Sequence, residues 1–317
     1  MTSAVHTASL PMKNGVSPSC VSLPKGPWAT VLDCLAERIP TVSRDEWAQR
    51  LRDGTVVSEH GQPVPLDAPY KAHAKLYYWR NLPFEHPVPF EETVVFQDEY
   101  LVVADKPPFL PVTPKGRYLQ ETLLVRLKRK LGIATLVPMH RIDRETSGLV
   151  AFTIQPQTRD AYQSLFRDKV VSKTYEAIAP LNAALQLPML YRSRLEESAH
   201  FMAMHEVDGQ VNAETHIDLI EARGPWGRYS LKPITGQKHQ LRVHLCALGI
   251  PILHDQIYPD LKPMAPPDEA PDFSQALQLL AQSLSFTDPI TGQLRTFHCG
   301  RSLSLDALSA SPSPRRA

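Results

Sequence analysis

The 317-residue chain has only four cysteines, and Cys20, Cys34, Cys246 and Cys299 lie far apart with no Cys-x-x-Cys pair. That argues against a disulfide framework and against a zinc site, and leaves reduced thiols of the kind a cytoplasmic protein carries. No run of 18 apolar residues occurs, and the N-terminus lacks a charged-then-apolar secretion signal, so a cytoplasmic protein without a membrane partner is expected. Gly-x-Gly-x-x-Gly, a phosphate loop, Gly-x-Ser-x-Gly and His-Glu-x-x-His are all missing. Their absence argues against dinucleotide, nucleotide-phosphate, serine-hydrolase and zinc-protease chemistry. An excess of one charge is missing too, since 34 Lys and Arg meet 33 Asp and Glu. Glycine is scarce, 14 against 30 prolines, which predicts long, stiffened connections.

What charge there is has a pattern. Lys115 to Ser147 hold eight basic and three acidic side chains, whereas residues 1–92 hold nine basic and ten acidic. A near-neutral chain with one basic region can still grip a phosphate backbone there. A solvated helix face explains Arg126, Lys128, Arg129 and Lys130 equally simply.

Periodicity divides the chain. Residues 1–26, rich in Ser, Thr and Pro, are expected to be a flexible tail. LDCLAERIP (Leu32–Pro40) reads as a short helix, and Ser43 caps a second with Trp47 and Leu51 inward and Gly54 beyond its end. TVVSEHGQPVPL adds two short strands about His60-Gly61, a helix–turn–helix–hairpin unit over 27–80. Three prolines make 81–92 an extended linker. A hairpin (TVVF, then YLVVA), a helix ending at Gly132, the strand SGLVAFTI and the helix TRDAYQSLFRD follow. KTYEAIA, 213–221 and 228–234 read as strands, 236–248 as a helix, and 275–298 as a helix with two closing strands. Strands and helices do not alternate regularly, which predicts an α+β fold with a mixed, largely antiparallel sheet over 93–303, and 304–317 as a second tail.

Chemistry concentrates in HRIDRETSG (His140–Gly148). Asp143 lies between Arg141 and Arg144, where positive charge would keep a carboxylate ionised for attack or proton removal. An Arg-Asp-Arg staple fits the same residues. A second cluster, TGQKHQLRVH (Thr235–His244), places Gln240 and His244 on one helix face. Its Arg242, between Leu241 and Val243, needs a carboxylate partner. His239 and His244 also suit plain structural hydrogen bonding, and Tyr175 in KTYEA suits a core. A metal site from His239, His244, His254 and Asp255 is disfavoured, because the i,i+5 histidines stand about 140° apart on a helix.

HRIDRETSG, KTYEA, GQKHQLRVH and LGIPILHDQIY in this order, with VVFQDEYLVVADKP before and LAQSLSFTDPITG after, resemble the RluA-type pseudouridine synthases over residues 91–300. The resemblance implies an isomerase of uridines in ribosomal or transfer RNA that needs no cofactor and no metal. It makes Asp143, Tyr175 and Arg242 the catalytic set, with Arg242 pairing with Asp143. It makes Arg141 and Leu241 contacts of the target base, with Arg141 taking the flipped base's place; His140, Lys173 and His239, in the same clusters, are expected to bind substrate beside them. Departures are Gly236-Gln237-Lys238 where the family usually has Gly-Arg-Thr, and His254 where it usually has glycine. Residues 27–80 resemble a divergent alpha-L RNA-binding module, with a structural cap as the competing reading. A monomer acting on RNA is expected. An RNA-binding assembly factor without need of catalysis is the alternative, though it has no use for Asp143, Tyr175 and Arg242 together.

Overall fold

Two strands with apolar runs lie inside the larger sheet, towards one of its ends, and each is covered on both faces. The structure, a computed structural model, describes residues 10–82, 84–198, 203–263, 266 and 269–306. Residues 1–9 and 307–317 of the two expected tails lie outside the described residues. The chain divides into a unit of residues 1–85 and a unit of residues 86–317.

In the first unit, strand β1 (Ser19–Ser22) precedes helices α1 (Val31–Arg38) and α2 (Arg44–Arg52) and strands β2 (Val56–Ser58) and β3 (Lys75–Tyr78). Both helices start where capping chemistry says they should. Thr30 and Asp33 form a reciprocal capping box, and Ser43 Oγ accepts from Glu46 N–H. Trp47, Leu51, Cys34 and Leu35 meet Val56, Val64 and Leu76 in one core. Strand order is β1-β3-β2, all antiparallel. Two expectations change. Residues 19–22 are not tail but a strand on β3, since Val21 packs on the core. The chain does turn back on β2 about Gly61, with Val64 N–H donating to Val56 O at 2.9 Å, but only one bridge forms, Val57 to Pro63, and β2 finds its longer ladder with β3.

The second unit runs β4 (Thr93–Gln97), β5 (Leu101–Lys106), α3 (Leu123–Leu131), β6 (Val137–Pro138), β7 (Ser147–Thr153), α4 (Arg159–Arg167), β8 (Ser172–Pro180), β9 (Met189–Glu197), β10 (Met204–Val207), β11 (Ala213–Arg223), β12 (Trp226–Pro233), α5 (Gln240–Ala247), β13 (Leu279–Thr287) and β14 (Leu294–His298). Its sheet is ordered β10-β9-β11-β12-β8-β13-β7-β5-β4, with β14 on β13 and β6 on β7. The fold is α+β with a mixed, largely antiparallel sheet, in which, among the described residues, β13 with β7 is the one parallel pair. Leu101 and Val103 of β5 and Leu149 and Ala151 of β7 face the core beneath Tyr162 of α4. Val102, Ala104, Val150 and Phe152 point the other way, under Leu123 and Leu127 of α3. α5 lays Leu241 and Leu245 on Ala177, Ile217, Tyr229 and Leu231.

Further expectations are corrected here. Residues 86–92 are not a free linker: Arg126 of α3 donates to the carbonyls of Val88 and Phe90 at 2.7 Å each, and Val88 is buried. No helix precedes β13, because Ile178 N–H donates to Gln278 O and Gln278 N–H to Leu253 O, which draws that backbone into extended pairing. At the far end Leu305 is buried. Strands β9 and β10 fall where the sequence offered no clear alternation.

Candidate active site

The loop between β6 and β7 carries Asp143 and is tied down residue by residue. Met139 N–H donates to Ala151 O at 2.8 Å, and Ala151 N–H donates back to His140 Nε2 at 3.2 Å. The His140 ring stacks on Phe166 with centroids 4.3 Å apart. Burial first, and Lys173 second, push this imidazole down to about 3, so it stays a neutral acceptor. His140 therefore serves as a wall of the site whose Nε2 is already engaged. The loop's far end is held by Lys106, fully buried, which donates to Arg144 O at 3.0 Å and Pro107 O at 2.9 Å. Burial pushes its ammonium down to about 7, against the pull of Glu145 and Asp143. Gly148 then enters β7 at φ +108°, where a Cβ would lie 2.3 Å from Ala281 O across the parallel pairing, so no other residue fits.

The cations beside Asp143 are not its sequence neighbours. Arg144 pairs with Glu145 at 2.7 Å and reaches the Tyr118 hydroxyl, while Arg141 is exposed at the rim. The partner is Arg242 of α5, 99 residues away, whose Nη1 donates to Asp143 Oδ2 at 3.1 Å. Arg242 is buried and forks onto Asp255, Nε to Oδ2 at 2.8 Å and Nη2 to Oδ1 at 2.6 Å. Asp255 Oδ1 also accepts from the N–H groups of Ile257 and Tyr258, at 2.8 and 3.1 Å. Burial opposes the guanidinium's charge, but the Asp255 bond and the Asp255 and Asp143 charges outweigh it and raise Arg242 above its ordinary value. Sequence reasoning set Asp255 in a metal reading and gave Tyr258 no role. A carboxylate three residues before a tyrosine has no local signature; only the fold joins it to α5.

α5 begins at Gln240, later than the expected 236. Gln240 Oε1 accepts from Thr235 Oγ1 and Gln237 N–H, its Nε2 donates to Glu214 O and Thr215 Oγ1, and His239 takes a left-handed turn at φ +55°. His254 also sits at φ +65°, which explains why glycine suits that place. The residues of the metal reading do not converge. His244 bonds Thr215 and Ser193, His254 bonds Ala276 O, and Asp255 bonds Arg242. Among the described residues no group of three or more His, Cys, Asp and Glu is placed to hold a metal ion.

Asp143, Arg242, Tyr175, Leu241, His239, Lys173, Arg141 and His140 all line one cavity of about 680 Å³. Tyr175, from β8, is half-buried, and its phenol is raised well above the ordinary range, first by desolvation and then by Asp143's charge, so it keeps its proton. Lys173 donates to Thr235 O at 3.3 Å, and its ammonium is lowered by burial and by Lys169. Among the described residues, Asp143 is the one acidic residue lining this cavity, beside Lys115, Arg141, Arg144, Lys169, Lys173, Lys238 and Arg242. The helix-borne cations Arg126, Lys128 and Arg129 are elsewhere. Arg126 is a staple to Glu121, Val88 and Phe90, Lys128 is buried, and Arg129 donates to Gln120 O.

Comparison with known proteins decides the family. The RNA pseudouridylate synthase family pattern matches residues 100–247. The dual-specificity RNA pseudouridine synthase RluA of Haemophilus influenzae is 32% identical over 217 residues, which span 65% of this chain and 91% of the relative. The chain belongs to the RluA-type pseudouridine synthases. It is an isomerase of uridines in RNA. A further relative is the mitochondrial tRNA pseudouridine(32) synthase of Saccharomyces cerevisiae, 34% identical over 171 residues, 52% of this chain and 36% of that one. The structure of human RNA pseudouridylate synthase domain containing 4 superposes with a TM-score of 0.51 at 26% identity, covering 68% of this chain and 90% of that chain. Among the described residues no helix is long and apolar enough to cross a membrane.

Proposed function

We propose that this RluA-type pseudouridine synthase acts as a cytoplasmic monomer on uridines of ribosomal or transfer RNA, with Asp143, Tyr175 and Arg242 as its catalytic residues. The observation that carries this reading is the electrostatics of the cavity, a single ionisable carboxylate pinned by a buried arginine beneath a basic rim. Pseudouridine formation breaks the bond from ribose C1′ to uracil N1, turns the base and joins C1′ to C5; C5 gives up its proton and N1 takes one up, so the atoms balance. Nothing is oxidised or hydrolysed overall, so side chains suffice. Asp143, with Oδ2 held by Arg242, presents Oδ1 to the ribose for attack at C1′ or for removal of a neighbouring proton. Tyr175 and Leu241 offer the apolar walls that hold the detached uracil. Arg141, exposed at the rim, is free of the loop's internal bonds and suited to fill the space a flipped base leaves. An RNA-binding factor with no catalytic step would gain nothing from a carboxylate facing phosphates. We also assign residues 27–80 to RNA binding as an alpha-L-like module, on the strength of Arg44, Arg50 and Arg52 along α2.

The test is site-resolved pseudouridine mapping of total RNA from cells with and without the gene. Loss of pseudouridine at one or more ribosomal or transfer RNA positions, restored by the wild-type gene, is expected. A map unchanged in both RNA classes overturns the substrate assignment.

RNA affinity should fall steeply with salt, through the cavity rim. Replacing Lys115, Lys169 and Lys238 together by Ala should flatten the slope of log K against log salt by about 2, since each phosphate contact contributes about 0.7–0.9. Replacing Arg126, Lys128 and Arg129 should leave that slope alone and lower the melting temperature, because the Arg126 staple is lost. The reverse outcome would return the phosphate contacts to α3.

A further inference from the structure

We propose that His239, fixed by Tyr258, is a positioning residue that directs an Nε2–H at the reacting oxygen of Asp143. The inference rests on Asp143 being the catalytic carboxylate. The oxygens of Asp143 are not equivalent. Oδ2 accepts from Arg242, while Oδ1 faces His239 Nε2 at 3.8 Å. That gap is just outside hydrogen-bond length, and a small rotation of the part-exposed Asp143 side chain would close it.

The tautomer follows from the network. Tyr258 Oη accepts from Met204 N–H at 2.8 Å and lies 2.9 Å from His239 Nδ1. With its oxygen already accepting, the phenol's own proton is directed to Nδ1, which leaves the imidazole proton on Nε2. Tyr258 cannot drift, because its N–H is held by Asp255 and its ring lies 5.4 Å from the Arg242 guanidinium. One carboxylate, Asp255, therefore sets both groups that meet Asp143: Arg242 directly and His239 through Tyr258. The backbone agrees. His239 occupies the left-handed region at φ +55°, a conformation unusual for a side-chain-bearing residue, and its side chain is only 9% exposed.

Neutral His239 is essential to this role. Burial lowers its affinity for a second proton, and Arg242 and Lys238 act in the same direction, while Asp143 and Glu145 oppose them. The charged and titratable groups facing it are thus Asp143 and Glu145 from the catalytic loop, Lys238 and Arg242 from its own segment, and Tyr258 from the segment after Asp255. A second proton would turn the donor into an imidazolium ion-paired with Oδ1, which would quench the carboxylate's reactivity. His239 should therefore impose an acid limb on the chemical step.

The experiment follows tritium release from RNA labelled at uracil C5, prepared from cells lacking the gene, with enzyme in excess. His239→Leu should lower the saturating rate about a hundredfold, as removal of an oriented donor does, with half-saturating enzyme concentration changed by less than about twofold. His239→Gln, whose amide supplies a donor near the Nε2 position but does not titrate, should retain most of the rate and lose the His-dependent acid limb. Tyr258→Phe should fall between them. A wild-type saturating rate in His239→Leu, or an acid limb in His239→Gln unchanged from wild type, overturns the proposal. If His239→Leu does not fold, the His239→Gln pH profile alone decides. Activity surviving in Asp143→Asn would instead overturn the underlying assignment of the carboxylate, whatever His239 does.

Discussion

Asp143→Asn is expected to reduce uracil C5 tritium release on the order of a thousandfold or more while leaving the fold and RNA affinity intact. The amide keeps the shape of the carboxylate and can still accept from Arg242 Nη1, so the loop tied by Lys106 and His140 has no reason to move. Asp143 is also 27% exposed, so no buried charge is stranded. What disappears is the anion, and with it both attack at C1′ and proton removal. RNA affinity should hold or rise slightly, because an acidic residue lining a basic cavity has been neutralised. A melting temperature within a few degrees of wild type is the control. Retention of even a tenth of the wild-type rate would remove Asp143 from the mechanism.

Arg242→Met is expected to damage stability and activity together. Arg242 and Asp255 have side chains 1% exposed each, and their two-pronged pair is the buried centre of the site. Removing the guanidinium leaves Asp255 charged, buried and served only by two backbone N–H groups, which should cost about 3–5 kcal/mol in urea unfolding. Asp143 loses its orientation at the same stroke. Arg242→Lys restores the charge but not a planar fork able to serve Asp255 and Asp143 at once, so it should recover only part of either property. The double variant Arg242→Met with Asp255→Leu separates the two effects. With no stranded charge it should regain most of the stability and none of the activity. Unfolding of Arg242→Met within about 1 kcal/mol of wild type would contradict the buried pair.

Much of the secondary structure was legible because its causes are local. Ser43 capping, the αL Gly132 that ends α3, and the apolar runs of β5 and β7 are written within a few residues of where they act. Strand β1 and strands β9 and β10 were not legible, because short half-exposed strands owe their existence to distant partners. HRIDRETSG and HQLRVH likewise marked Asp143 and Arg242 by residue type and order.

By itself the sequence determined the family and the α+β class, and it marked the candidate residues that the cavity gathers, since these depend on motifs and periodicities carried along the chain. The tertiary structure alone decided which charges act on one another. It turned Arg126 inward as a staple and Arg144 toward Glu145, and it gathered Lys115, Lys169 and Lys238 from three separate segments onto one rim. It brought Asp255 beneath Arg242 and set Tyr258 against His239. The physical reason is that an ion pair or a hydrogen bond depends on distance and burial, and neither is a property of a residue's position in the chain.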